Sequence, residues 1–136
     1  MTAYQMGNYY ERRTAVLFRH DGYEVWQTRG SKGAADLIAL KPGQICLVQV
    51  KSGTKQISGE QWNALFRLAA GLQALPIVAD WKDGSGRGRS MALRRITARH
   101  VPGSHWWPCE PWHLDALEAA VEAHRQTGGP LPPLAP

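Results

Sequence analysis

The chain has 136 residues, 43% of them hydrophobic, which supplies one domain with its own core and leaves no room for several. Sixteen Lys and Arg against eleven Asp and Glu give a net charge of +5; fifteen basic and seven acidic residues precede Ser104, so that stretch carries +8 and the remainder −3. A small basic surface of this kind suits a polyanionic partner, nucleic acid ahead of membrane. No apolar run approaches the roughly 20 residues of a membrane span. The first eight residues hold no apolar signal core, so secretion is not expected. Two cysteines, Cys46 and Cys109, exclude a disulfide scaffold and point to a reduced, cytoplasmic setting.

The first helix is expected over residues 4–20, ending at Asp21-Gly22. At about 100° per residue, Met6, Tyr10, Thr14, Ala15, Leu17 and Phe18 fall on one arc. Arg12 and Arg19 lie outside that arc, but Glu11 lies inside it. A carboxylate facing the core is costly unless something compensates it. Glu11 is therefore either a rim residue paired with an arginine or part of a site. Residues 23–28 alternate as a strand. Arg29-Gly30-Ser31-Lys32-Gly33 reads as a flexible loop and lacks the spacing of a phosphate-binding P-loop.

Two short apolar runs, residues 35–40 and 45–50, flank Lys41-Pro42-Gly43-Gln44, where Pro then Gly suits a type II turn. A turn at Pro42-Gly43 sets Leu40 opposite Ile45, Ile38 opposite Leu47, and Asp36 opposite Gln49. Both faces of this hairpin are apolar, so the sheet should be covered on both sides. Ser58 and Gln61 have capping-box spacing ahead of a second helix. Its buried face should be Trp62, Leu65, Phe66, Ala69 and Leu72. Residues 75–81 and 91–96 read as the fourth and fifth strands, with a Gly-rich, basic loop at residues 82–90 between them. A last helix is expected from about residue 112 to 126, with Pro111 at its first turn and Leu114, Leu117 and Val121 as its apolar stripe. The order α-β-β-β-α-β-β-α describes an α/β fold with a mixed central β-sheet flanked by helices. Residues 1–127 form one domain on this reading. Residues 128–136, opened by Gly128-Gly129-Pro130, form a Pro-rich, flexible C-terminal tail.

The chemistry gathers at the end of the central hairpin. Opposed residues of an antiparallel pair have Cβ atoms roughly 4.5–5.5 Å apart, which brings Asp36 beside Gln49. Lys51 lies two residues beyond Gln49 on the same strand face. Glu11, facing inward from the first helix, completes the group. Mg²⁺ prefers hard oxygen ligands. Asp36 and Glu11 offer carboxylates, Gln49 an amide oxygen and Val50 a backbone carbonyl. The pattern suits metal-assisted phosphodiester hydrolysis, with Lys51 orienting the attacking water or stabilising the transition state. The alternative is a plain Asp36–Lys51 salt bridge at a sheet end.

Glu11, then Arg29-Gly30-Ser31, then Gly33-Ala34-Ala35-Asp36-Leu37-Ile38-Ala39, then Val48-Gln49-Val50-Lys51 resembles the PD-(D/E)xK nuclease superfamily. Within it the layout is most similar to the archaeal-type Holliday junction resolvases, which also occur in phages. The resemblance covers residues 9–81. It implies a restriction-endonuclease-like core, Mg²⁺-dependent nuclease activity with Mn²⁺ as substitute, and a two-fold homodimer acting on four-way DNA in a prokaryotic cell or a phage-infected host. It maps the helical acid to Glu11, the loop serine to Ser31, the metal-binding acid to Asp36 and the catalytic lysine to Lys51, with Arg29 contacting backbone phosphate. Gln49 stands where most members carry an acid, which removes one negative charge from the metal site. Ala35 stands where many have proline. The same residues would serve a repair or restriction-type nickase, or a DNA-binding module without catalysis.

Further candidates for DNA contact are Arg12 and Arg13 beside Glu11, Lys32 and Lys55 on flanking loops, and Arg87 and Arg89 on the Gly-rich loop. Arg94, Arg95 and Arg99 would extend that basic face. Three of the six tryptophans fall within residues 105–113. His105, Cys109 and His113 there lack the fourth ligand of a structural zinc site, so aromatic packing is the expected role.

Overall fold

The computed structural model describes residues 2–28, 33–84 and 88–115. They run α1 (Ala3–His20), β1 (Glu24–Gln27), β2 (Leu37–Lys41), β3 (Gln44–Ser52), α2 (Gly59–Leu72), β4 (Leu75–Gly84), β5 (Gly88–Ile96) and β6 (Cys109–Trp112). The strands form one sheet in chain order. Every step is antiparallel except β3–β4. That step is parallel because α2 returns the chain across one face, the crossover a parallel pair requires.

Local chemistry sets the helix ends. Thr2 and Gln5 form a capping box at the start of α1, with the Thr2 hydroxyl accepting the Gln5 N–H at 3.1 Å and the Gln5 amide oxygen accepting the Thr2 N–H at 2.9 Å. Ser58 and Gln61 do the same for α2. At the β2–β3 turn Gly43 takes φ +77°, the conformation a type II turn requires after Pro42. The hairpin register is the one its turn predicts, with Leu40 opposite Ile45 and Ile38 opposite Leu47.

The sheet is buried on both faces. Ala15, Leu17 and Phe18 of α1 pack with Leu37, Ala39, Cys46, Val48, Ile77, Ala79 and Trp81. Trp62, Leu65 and Ala69 of α2 pack with Leu47, Val78 and Ile96. Neighbours in sequence thus face opposite layers, as the pleat dictates.

Three expectations need correction. Residues 82–84 and 88–90, expected in a loop, are strand: β4 and β5 continue into them, with Lys82 opposite Ser90, Asp83 opposite Arg89 and Gly84 opposite Gly88, while residues 85–87 lie outside the described residues. Residues 109–112 do not lead into a helix at Pro111. They form β6, the sheet's last strand, where a proline is tolerated because one side of an edge strand has no partner. The rest of the expected last helix, with Leu117 and Val121, lies outside the described residues, as does the tail at 128–136; Leu114 is buried. Leu72 is 51% exposed, so the buried face of α2 ends at Ala69.

The segment between β5 and β6 straps across α2. The Trp62 indole N–H donates to the Ala98 carbonyl at 3.0 Å. The Asn63 amide bonds both backbone groups of His100, donating to the carbonyl at 3.0 Å and accepting the N–H at 2.8 Å. Trp107 stacks on the His100 ring at 3.6 Å and meets Trp62 edge-on at 5.2 Å. A Cβ at Gly59 would stand 3.0 Å from the His100 ring, which accounts for glycine in the first turn of α2. This is the aromatic packing expected of the Trp-rich segment, although Trp106 is exposed.

Candidate active site

Asp36 sits where the β2–β3 ladder ends. Regular pairing would place it opposite Gln49, but the ladder stops at Leu37–Val48. The Asp36 N–H turns instead to the Val48 carbonyl at 2.8 Å. Its carboxylate Oδ2 accepts the Val50 N–H at 2.8 Å, taking a place that a backbone carbonyl would otherwise fill. In a strand the N–H and C=O of one residue point to the same neighbour, so the Val50 carbonyl also lies on the Asp36 side. Thr28 closes the other flank: its N–H donates to the Asp36 carbonyl at 2.9 Å and its hydroxyl to the Ala35 carbonyl at 2.8 Å.

Glu11 arrives from α1 and hydrogen-bonds the Asp36 carboxyl. Burial, the neighbouring Asp36 charge and that shared bond push the Glu11 pKa up to about 7. Burial also raises Asp36, while the Val50 N–H, the Lys51 charge and the Glu11 hydrogen bond oppose the rise. Two carboxylates in contact cannot both ionise cheaply, so the pair takes up a proton more readily than either acid would alone. The anomaly in the helical arc therefore marks one half of an acid pair.

Gln49 is 7% exposed. It follows Leu47 on the face toward α2, as does Lys51, which lies opposite Asp80 of β4. The peptide N–H that holds Asp36 is the one between these two side chains. Among the described residues no ion pair joins Asp36 to Lys51, so the salt-bridge alternative is not realised; Lys51 acts on Asp36 by its charge. Nor does any group of three or more His, Cys, Asp and Glu assemble there as a metal cage, and the His105, Cys109, His113 spacing makes none. The Glu11–Asp36 pair nevertheless fits a divalent cation: two hard oxygen donors are forced together, and a cation relieves the repulsion that otherwise demands a proton.

The basic residues sort differently from their sequence grouping. Arg12 and Lys55 are exposed. Arg13 is drawn in: its guanidinium lies 5.1 Å over the Trp81 ring and donates to the Tyr9 hydroxyl at 3.2 Å. Arg94 and Arg95 do not extend a free basic face, because Arg94 pairs with Asp80 at 2.8 Å and Arg95 with Glu110 at 3.7 Å; Arg99 is exposed. Arg29, Ser31, Lys32 and Arg87 lie outside the described residues, and of Arg89 only the backbone position on β5 is described.

A mixed sheet between two helices, with an acid pair at the end of its central hairpin and a lysine on that hairpin's second strand, defines a nuclease-like α/β protein of the restriction-endonuclease-like kind. A family model described as archaeal Holliday junction resolvase (Hjc) matches residues 2–92. The 1.6 Å structure of Archaeoglobus fulgidus Hjc, a Holliday junction resolvase from an archaeal hyperthermophile, is similar to this fold with a TM-score of 0.55 at 18% sequence identity, covering 69% of this chain and 80% of that one. No curated protein matches the chain. The chain belongs to the archaeal Holliday junction resolvase family. The match ends within β5, so the strap over α2 and β6 lie beyond it.

Proposed function

We propose that this resolvase-family endonuclease cuts four-way DNA junctions by metal-assisted hydrolysis at the Glu11–Asp36 pair, as a two-fold homodimer that nicks opposing strands. The observation that carries the reading is the contact between two half-buried carboxylates, one on α1 and one just ahead of β2, beside the end of β3. Glu11, Asp36, the Gln49 amide oxygen and the Val50 carbonyl hold Mg²⁺, with Mn²⁺ as substitute. When bound, the ion acidifies a water and offsets charge on the phosphate. Lys51 orients the attacking water, and Ser31 and Arg29 hold the scissile phosphate. Arg12, Arg13, Lys32, Lys55, Arg87 and Arg89 contact the DNA backbone, so binding follows shape and phosphates and weakens steeply with salt. Two free cysteines, Cys46 buried, fit a reduced cytoplasmic setting in a prokaryotic cell or a phage-infected host. Among the described residues no helix is long and apolar enough to cross a membrane.

The test is cleavage of a labelled synthetic four-way junction beside a linear duplex of the same sequence, with Mg²⁺, Mn²⁺ or EDTA. Paired symmetric nicks confined to the junction and abolished by EDTA support the proposal. Equal cleavage of the duplex selects a repair or restriction-type nickase. Binding without cleavage in either metal selects a DNA-binding module.

A further inference from the structure

We infer that Trp81, acting through Thr14, is a positioning residue that sets the Glu11 carboxylate against Asp36; this rests on the metal-dependent reading above. Thr14 is fully buried on the sheet-facing side of α1, and Trp81 of β4 is 3% exposed. The Trp81 indole N–H donates to the Thr14 hydroxyl at 2.9 Å. The Thr14 hydroxyl donates in turn to the Tyr10 carbonyl at 2.7 Å. The directions admit no exchange, because an indole nitrogen only donates and a carbonyl only accepts. The carbonyl at the end of the chain belongs to the peptide unit whose nitrogen is that of Glu11.

Trp81 grips the same helical turn through its ring as well. Tyr10 packs on it at 5.1 Å, and the Arg13 guanidinium lies over it at 5.1 Å. Tyr10, Arg13 and Thr14 bracket Glu11 on α1. At its backbone, Trp81 accepts the Gly53 N–H at 2.8 Å and lies opposite Ser52, the residue after Lys51. One residue therefore ties the helix that carries Glu11, by its side chain, to the strand end that carries Lys51, by its backbone.

Apolar packing alone is non-directional and leaves a helix free to rotate or slide by small steps. A hydrogen-bond chain is directional. Mg²⁺ tolerates little departure from its ligand geometry, so the rotation of α1 governs whether Glu11 meets a cation together with Asp36. A valine at position 14 would fill the same space without fixing that rotation.

The experiment compares wild type, Thr14→Val, Thr14→Ser and Asp36→Asn by Mn²⁺ titration calorimetry on the DNA-free protein. It adds the metal dependence of single-turnover junction cleavage, junction affinity in EDTA, and thermal melts. Thr14→Val should weaken Mn²⁺ binding by roughly 10–100-fold. It should raise the metal concentration for half-maximal cleavage in parallel and leave junction affinity in EDTA unchanged. Thr14→Ser, which restores the hydroxyl, should restore both. Wild-type Mn²⁺ affinity in Thr14→Val, or failure of Thr14→Ser to rescue, overturns the positioning role alone. Wild type that takes up no Mn²⁺ lost in Asp36→Asn overturns the metal-dependent reading and the positioning role with it. If Thr14→Val melts below the assay temperature, Trp81→Phe, which keeps a ring and loses the N–H, is judged by the same criteria.

Discussion

Asp36 holds the backbone N–H of Val50 on its carboxylate at 2.8 Å, so the acid just ahead of β2 is fastened to β3 at the residue between Gln49 and Lys51. The bond explains why the hairpin ladder ends one residue earlier than its turn suggests. It also fixes the acid without using all its oxygen lone pairs, which leaves capacity for Glu11 and for a cation.

Replacement of Asp36 by Asn separates these two roles. An amide oxygen still accepts the Val50 N–H, while the charge that draws a cation is gone. Asp36→Asn should abolish junction cleavage and leave junction binding in EDTA largely intact. Gel-shift and cleavage assays on the same preparation check this. Loss of binding together with cleavage would mean that Asp36 is structural.

Glu11 should make stability depend on pH in an unusual direction. Its pKa rises from an ordinary value near 4.5 to about 7 on folding. Between those values the folded chain keeps a proton that the unfolded chain releases, so stability falls as pH rises through the window. Solvent access to this half-buried group moderates the size of the effect. In EDTA, wild type and Glu11→Gln should melt alike at pH 4 and diverge by pH 8, with wild type the less stable. Added Mn²⁺ at pH 8 should recover wild type and leave Glu11→Gln unmoved. Parallel melts across the whole range would contradict the assignment.

Gln49→Glu adds a third carboxylate, at a nearly buried position, to the half-buried pair. Without metal it should lower the melting temperature, because three neighbouring acids need still more compensation. With metal it should keep or lower the concentration required for half-maximal cleavage. Loss of cleavage at every metal concentration would show that the Gln49 amide has a role that charge does not describe.

Asn63→Ala should weaken the strap over α2 without touching the acid pair. It leaves the N–H and the carbonyl of His100 without their side-chain partner, at a cost of about 1–3 kcal/mol for each buried group left unsatisfied. A lower melting temperature with an unchanged single-turnover rate at low temperature is the expected result. A slower rate would place the strap within the catalytic machinery.

The hairpin register and the α2 start were legible because each rests on local chemistry: Pro42-Gly43 admits few turns, and Ser58 with Gln61 is a cap. Glu11 was legible as a contradiction, an acid on an apolar arc. Strand β6 was not, because Pro111 suits the first turn of a helix as well as an edge strand, and only the pairing with β5 decides. The glycines at 84 and 88 read as a loop for a similar reason; cross-strand pairing overrides their weak local preference. Thr28 gave no signal beyond a strand end. Thr14 gave a faint one, since a hydroxyl on a buried arc needs a partner, but that partner stands 67 residues away in the sequence.

The order of the sheet also bears on how the molecule comes into being. Each strand lies beside the one synthesised just before it, so a nascent chain emerging from the ribosome can add every strand to an edge already laid down. The β2–β3 and β4–β5 hairpins close early because little chain separates their strands; the strap before β6 and, most of all, the crossover through α2 ask for longer closures. Trp81 comes after that crossover. Glu11 and Asp36 leave the ribosome ahead of β4, and α1 gains its tie to β4 only when the fourth strand docks. The half-made enzyme therefore carries its acids before it can aim them.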